Sequence, residues 1–236
     1  MNRILIPLTI LAAASPAAAA EIQIAAQGPV VELSVIETVK ARPDLATVSA
    51  GVTSRATTAV EAMRLNAAAM DAVVKRIKAL GIAADDIQTT GVELGAQYDY
   101  DQTRQQQVFR GYQASNRVSV ILRKVPDTGR VLDALVASGA TDIGGPSFSI
   151  DDDTAPRSQA RQAALDKAKR QAEEYAKWAG YSGVRLLQVS ELVDAGRPMP
   201  MMMEARAVSA DAKATPVEPG LVGTSVTVTV SYEMTR

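Results

Sequence analysis

Few residues in this chain have the types and spacing that chemistry needs. Asp151-Asp152-Asp153 is a run of carboxylates of the kind that holds a hard cation such as calcium or magnesium. The EF-hand spacing is missing, with no glycine at the sixth position and no closing glutamate, so capping of a following helix is the plainer role. Met199, Met201, Met202 and Met203 crowd into five residues. Thioethers bind soft metals such as copper(I), or form an adaptable contact. No cysteine or histidine stands beside them, which favours a loop whose methionines cover apolar surface; they are candidate loop contacts. Gly144-Gly145-Pro146 is followed by no helix opening on Lys-Ser or Lys-Thr, and no G-x-G-x-x-G occurs, so this is turn chemistry.

The absences narrow the chemistry further. The chain has no histidine and no cysteine. That excludes Ser-His-Asp and Cys-His nucleophilic sites, histidine general bases and the common zinc sites. Carboxylates, lysine and tyrosine remain. A carboxylate hydrolase would need two acids about 5–10 Å apart in a cleft, and no spacing singles out such a pair. No catalytic, metal-binding or cofactor-binding residue is assigned, no cofactor is implied, and an enzyme is not expected.

Residues 1–20 read as a secretory signal: Arg3, an apolar run from Ile4 to Ala14, then Ala18-Ala19-Ala20 before the cut. The apolar run is too short for a stable span, and no later stretch is apolar for long enough to cross a bilayer as a helix. The expected mature chain has about 216 residues if cleavage follows Ala20. Its 24 basic and 26 acidic side chains balance near −2, which gives no reason to expect nucleic acid or an anionic membrane surface. Without cysteine, packing alone must hold an exported fold.

The elements that must position any site follow from periodicity. Residues 21–29 form a flexible leader. Val31, Leu33 and Val35 alternate as a half-buried strand, and Arg42-Pro43-Asp44 turns into a second, Leu45–Thr53; the short turn suggests an antiparallel hairpin. Thr58 and Glu61 make a capping box for a helix with Met63, Ala67, Met70, Val73 or Val74, Ile77 and Leu80 on one face, ended by Gly81. Asp127 opens a second helix with Val131, Leu132, Leu135 and Val136, and Ile143–Ile150 is a strand. The third helix, Pro156 to Ala179, places Leu165, Ala168, Ala172, Tyr175 or Ala176, and Ala179 on one face. This mostly alanine face fits a flat sheet. Asp166 with Arg170 and Glu173 with Lys177 are i,i+4 pairs in the favourable order. A strand over 184–192 follows, then a low-complexity segment, 195–218, and a closing strand with Val226, Val228, Val230 and Tyr232 on one face.

Between the first two helices lies a long extended pair, Val92–Tyr100 and Phe109–Leu122, around a polar tip. At about 3.3 Å per residue it outreaches an ordinary strand and is expected to project. Tyr98, Tyr100, Phe109 and Tyr112 lie near its far end. They are either cross-strand packing inside one subunit or a contact for another subunit, since both uses draw on the same aromatic chemistry. The order of elements argues α+β, with antiparallel sheets, helices packed on them and a long projecting β-hairpin.

Several stretches in order resemble the SIMPL domain family, catalogued as domain of unknown function 541. They are Val39-Lys40-Ala41-Arg42-Pro43-Asp44-Leu45-Ala46; Gly111-Tyr112-Gln113-Ala114-Ser115-Asn116-Arg117-Val118-Ser119-Val120; Val131 to Ile150; the long helix with Val189-Ser190-Glu191; and Pro216-Val217-Glu218-Pro219-Gly220. One departure is that Gly183 stands one place earlier than the glycine of the family's Leu-Gly pair. The resemblance covers 30–236 and implies an α+β fold, a bacterial periplasmic setting among immunogenic and oxidative-stress-associated proteins, and self-association, in some members as a large ring. It implies no active site. The expectation is therefore a non-enzymatic periplasmic protein that forms homo-oligomers, with peripheral envelope association left open. A small-ligand or metal-binding periplasmic protein is the alternative.

Overall fold

A computed structural model describes residues 26–192, 199–200 and 215–236. The elements run β1 (Val30–Ala41), β2 (Leu45–Ala56), α1 (Ala59–Ala79), β3 (Ile87–Asp101), β4 (Gln106–Leu122), α2 (Thr128–Ala137), β5 (Asp142–Ser149), α3 (Thr154–Trp178), β6 (Gly183–Leu192), β7 (Met199–Pro200) and β8 (Val222–Thr235). The class is α+β, as the sequence implies. All pairings are antiparallel, and they form two sheets rather than one.

The first sheet has the order β1-β8-β6, with the two-residue β7 also on β8. One face carries Val35, Val226, Val228, Val230 and Tyr232, and α3 lies across it. The helix meets the sheet through Ala160, Ala164, Ala168, Ala172 and Ala176, each with at most 1% of its surface exposed. Methyl side chains let the helix backbone approach the valines closely, and van der Waals contact falls steeply with any gap. Of the two sequence alternatives, Ala176 is inside and Tyr175 outside; Ala179 is exposed. The helix is tied down on both flanks. Arg161 holds Glu191 of β6 at 2.6 and 2.8 Å, and Lys167 holds Glu37 of β1 at 2.6 Å. Glu173 pairs within the helix with Lys169, at 3.8 Å, rather than with Lys177.

The second sheet has the order β3-β4-β2-β5 and carries α1 and α2 on one face. Val48, Val52, Val118 and Val120 meet Met70, Val73 and Ile77 of α1 and Leu135 of α2. Thr58 Oγ1 accepts the Glu61 amide at 3.3 Å, which starts α1 as the capping box predicts. Glu61 itself turns to Arg64 instead of back to the cap. The first turns differ from the expected stripe: Ala62 and Asn66 are buried, while Ala67 is exposed. Asn66 explains the difference. Its Nδ2 donates to the carbonyls of Val52 and Ala114 at 2.9 and 3.0 Å, so a polar residue faces the sheet where periodicity asks for an apolar one.

The expected β1–β2 hairpin is not formed. β1 pairs along its whole length with β8, and β2 pairs with β4 and β5. The turn between them is a crossing from one sheet to the other. Asp44 holds it from the far side: its amide donates to Ser149 O at 3.2 Å, and its Oδ1 accepts the Asp151 amide at 2.8 Å. Arg123 adds a second tie, bonding Asp86 at 3.1 Å and Asp151 at 2.7 Å. Residues 215–221 make another crossing. Thr215 is held by Asp133 of α2, and a Cβ on Gly129 would lie 2.1 Å from Thr215 O.

Candidate functional site

The projecting hairpin is the surface with the clearest unfilled role. β2 ends at Ala56, opposite Tyr112. Beyond that point β3 and β4 continue as a two-stranded arm to Asp101 and Gln106. Gly111 stands where the third strand stops, at φ +125°. A Cβ there would lie 2.5 Å from Ala56 O, so only glycine lets the arm leave the sheet at this angle. The register slips between Gln97 and Tyr98, with Arg110 as the extra residue. At the tip Asp101 Oδ1 accepts the amides of Thr103 and Arg104 at 2.9 and 3.1 Å, closing the turn.

The register sorts the arm into two faces, because directly opposed residues of an antiparallel pair share one. The pairs Val92↔Asn116, Leu94↔Ala114, Ala96↔Tyr112, Tyr98↔Phe109 and Tyr100↔Gln107 point to the side that carries α1. The other side carries Glu93, Gln97 and the Asp99–Arg110 ion pair at 2.9 Å. On the helix side, Phe109 sits edge-on to Tyr98 (centroids 5.7 Å apart) and to Tyr112 (5.3 Å). Three of the four sequence-predicted aromatics therefore form one cluster. Tyr100 shares the face but has no aromatic partner and is 62% exposed. Cross-strand packing is thus present, and yet Val92, Leu94, Tyr98, Tyr100 and Phe109 all remain exposed. Val92 and Leu94 escaped sequence reasoning, since alternation alone does not reveal how far α1 reaches along the sheet.

The other candidates have structural partners. Asp151 is engaged by Arg123 and Asp44, Asp152 Oδ1 accepts the Thr154 amide at 3.0 Å, and Asp153 pairs with Arg157. Among the described residues, no cluster of three acidic side chains is arranged to hold a metal ion. Met199 is placed only by its backbone pairing to Gly223; Met201, Met202 and Met203 lie outside the described residues.

One buried acid was not anticipated. Glu233, on β8, is 4% exposed. Its Oε1 accepts the amides of Gln27 and Gly28, each at 2.6 Å, and its Oε2 accepts from Arg185. Residues 26–29 are thereby pinned to the sheet, and residues 21–25 of the expected leader lie outside the described residues. The Arg185 guanidinium and the Gln27 amide hold the Glu233 carboxyl below the usual carboxylate value of 4.5. Beside it opens a cleft of about 550 Å³ lined by Tyr181, Arg185 and Arg236, with the Arg236 guanidinium 5.6 Å from the Tyr181 ring centre. A strand residue on the sheet's open face gives no sequence sign that it will be covered.

Residues 31–232 match a family described as SIMPL, protein of unknown function (DUF541). The chain belongs to the SIMPL family. It is similar to the 26 kDa periplasmic immunogenic protein of Brucella abortus, with 29% identity over 225 residues, 93% of this chain and 90% of that protein. It is also similar to the uncharacterized protein YggE of Escherichia coli K12, with 29% identity over 190 residues, 80% of this chain and 76% of that one. Among the described residues, no helix of this SIMPL protein is long and apolar enough to cross a membrane.

Proposed function

We propose that this SIMPL protein is an exported periplasmic protein without enzymatic activity, whose working form is a self-assembly joined through the β3–β4 arm. The observation that carries the reading is the uncovered aromatic and aliphatic face of that arm. A two-stranded ribbon is marginally stable in water unless something packs on it, and exposed apolar patches mark interaction sites. The charged-apolar-small pattern of residues 1–20 and the periplasmic name of the Brucella relative support export. A place in envelope or oxidative-stress physiology follows from the family resemblance.

Light scattering after gel filtration of residues 21–236 tests the assembly. The expected result is a discrete species larger than a monomer. Replacing residues 98–110 by a two-residue Asn-Gly turn is expected to disperse it while the circular dichroism spectrum of the folded subunit stays close to the parent's. A shortened protein that remained assembled would remove the arm from the reading.

A further inference from the structure

The proposed assembly makes no use of the cleft beside Glu233. We propose that this cleft binds a small organic oxyanion, a carboxylate or a phosphate, between Arg185 and Arg236. The site lies within one subunit and does not depend on self-association.

Three stretches distant in sequence build the cleft: residues 27–29, the turn into β6 at 181–185, and the end of β8 at 233–236. Backbone bonds hold them in place. The Met234 amide donates to Pro29 O at 2.8 Å, and the Ser182 amide donates to Thr235 O at 3.0 Å. The walls therefore belong to the paired end of the first sheet. The opening of about 550 Å³ falls within the ordinary size of a small-molecule site.

The charges there are displayed unequally. The Glu233 side chain is 6% exposed, whereas that of its partner Arg185 is 57% exposed. The carboxylate spends Oε1 on two amides and Oε2 on the guanidinium. The ion pair thus hides its anion and shows its cation. Arg123 gives the contrast. Its acid Asp86 is also largely covered, but a second and open carboxylate, Asp151, shares it. Among the described residues Arg185 pairs with Glu233 alone.

The geometry of the guanidinium selects the ligand. Arg185 gives an Nε hydrogen and an Nη2 hydrogen to Glu233. Its other edge, one hydrogen each from Nη1 and Nη2, is the fork that takes a carboxylate or a phosphate through two parallel bonds. Glu233 fixes the plane of that fork in advance, so less freedom is lost when a ligand arrives. Arg236 supplies the second cation. Its guanidinium lies 5.6 Å from the centre of the Tyr181 ring, and among the described residues no acidic side chain pairs with it. Tyr181 adds a flat wall for the body of an organic anion. A metal ion would instead meet two guanidinium groups and a carboxylate whose oxygens are already engaged.

Isothermal titration of residues 21–236 at low ionic strength tests the site. The probes are phenyl phosphate, benzoate and, as their uncharged counterpart, benzyl alcohol. The expected result is saturable one-to-one binding of at least one anion, at least tenfold tighter than benzyl alcohol and weakened by sodium chloride. Whichever anion binds more tightly names the oxyanion. Arg236→Gln and Arg185→Lys should each weaken binding at least fivefold. The first removes a cation at an exposed position; the second keeps the charge that Glu233 needs and removes the fork. Circular dichroism checks that both variants are folded. Lys75→Gln removes the same charge from α1, on the other sheet, and should leave binding unchanged. A parent that binds neither anion saturably at millimolar concentration would overturn the proposal. So would binding that survives in both arginine variants, or that Lys75→Gln weakens as much as they do.

Discussion

Gly111→Ala probes the joint between the compact sheet and the arm. Two costs are legible at this residue. Its φ of +125° is a region that side-chain-bearing residues avoid, a strain of about 1–3 kcal/mol. The added methyl would also lie 2.5 Å from Ala56 O, a backbone atom that cannot rotate away. Shifting the end of β2 to admit it is comparable to overpacking, about 1–3 kcal/mol more. The expected loss is therefore about 2–6 kcal/mol, a large share of the stability of an ordinary domain. Gly95→Ala is the matched control on the same arm. Its nearest neighbour would be Gln97 Nε2 at 4.0 Å, so the change should stay within about 0.5 kcal/mol. Urea unfolding at one protein concentration reads both, because self-association adds to apparent stability by mass action. Equal midpoints for the two variants would refute the assignment of Gly111 as the residue that sets the arm's departure.

Asn66→Ala removes the side-chain donor from two buried carbonyls and is expected to cost about 2–4 kcal/mol in urea unfolding; a loss under about 1 kcal/mol would mean the carbonyls find other donors. Ala168→Leu forces a larger side chain between α3 and the valines beneath it and is expected to cost about 1–3 kcal/mol, whereas the exposed Ala163→Leu should be near neutral. Glu233 carries a pH signature. Its folded carboxyl titrates below 4.5, so its stabilising contribution is complete above that value and is lost as pH falls through the depressed folded value. Glu233→Gln should lower the thermal midpoint at pH 7 and flatten its fall below about pH 4.5, the ordinary carboxyl range; parallel pH profiles for the two proteins would contradict this.

What the sequence displayed were elements and faces; what it concealed were partners. The alanines of α3 recur at helical spacing, and only a flat neighbour suits them, so helix-on-sheet packing was legible. The long β3–β4 pair and its four aromatics were legible from strand length and alternation. The β1–β2 hairpin was not there to be found. Alternation says that a strand is half buried, but it is silent on which strand pairs with it. Here the Asp44–Asp151 bond, between residues 107 positions apart, holds the intervening turn as a crossing, and Arg123 steadies Asp151 from 28 positions away. Asn66 and Glu233 were missed for a related reason. Each is polar in type, and its burial depends on elements distant in sequence: the β2 and β4 carbonyls for Asn66, and residues 27–28 for Glu233.

Where the charged groups are engaged bears on function. Arg123 ties Asp86 to Asp151, Asp133 holds residue 215 to α2, Arg161 and Lys167 fasten α3 to opposite edges of its sheet, and Glu233 with Arg185 fixes residues 27–28 to the first sheet. Asp133, Glu191 and Glu233 titrate below the ordinary carboxyl range because Thr215, Arg161 and Arg185 bond them, and each of these bonds ties together segments distant in sequence. The arm is built the other way. Its ion pair lies on the outer face, and its helix-side face is left without charge. β4 carries core residues at Val118, Val120 and Leu122 and then runs on into the arm, so the arm's direction is set by a central strand of the second sheet. A ribbon aimed by the core and apolar on one side is suited to meeting a partner at a defined angle, because its direction is fixed by strands that the core already holds.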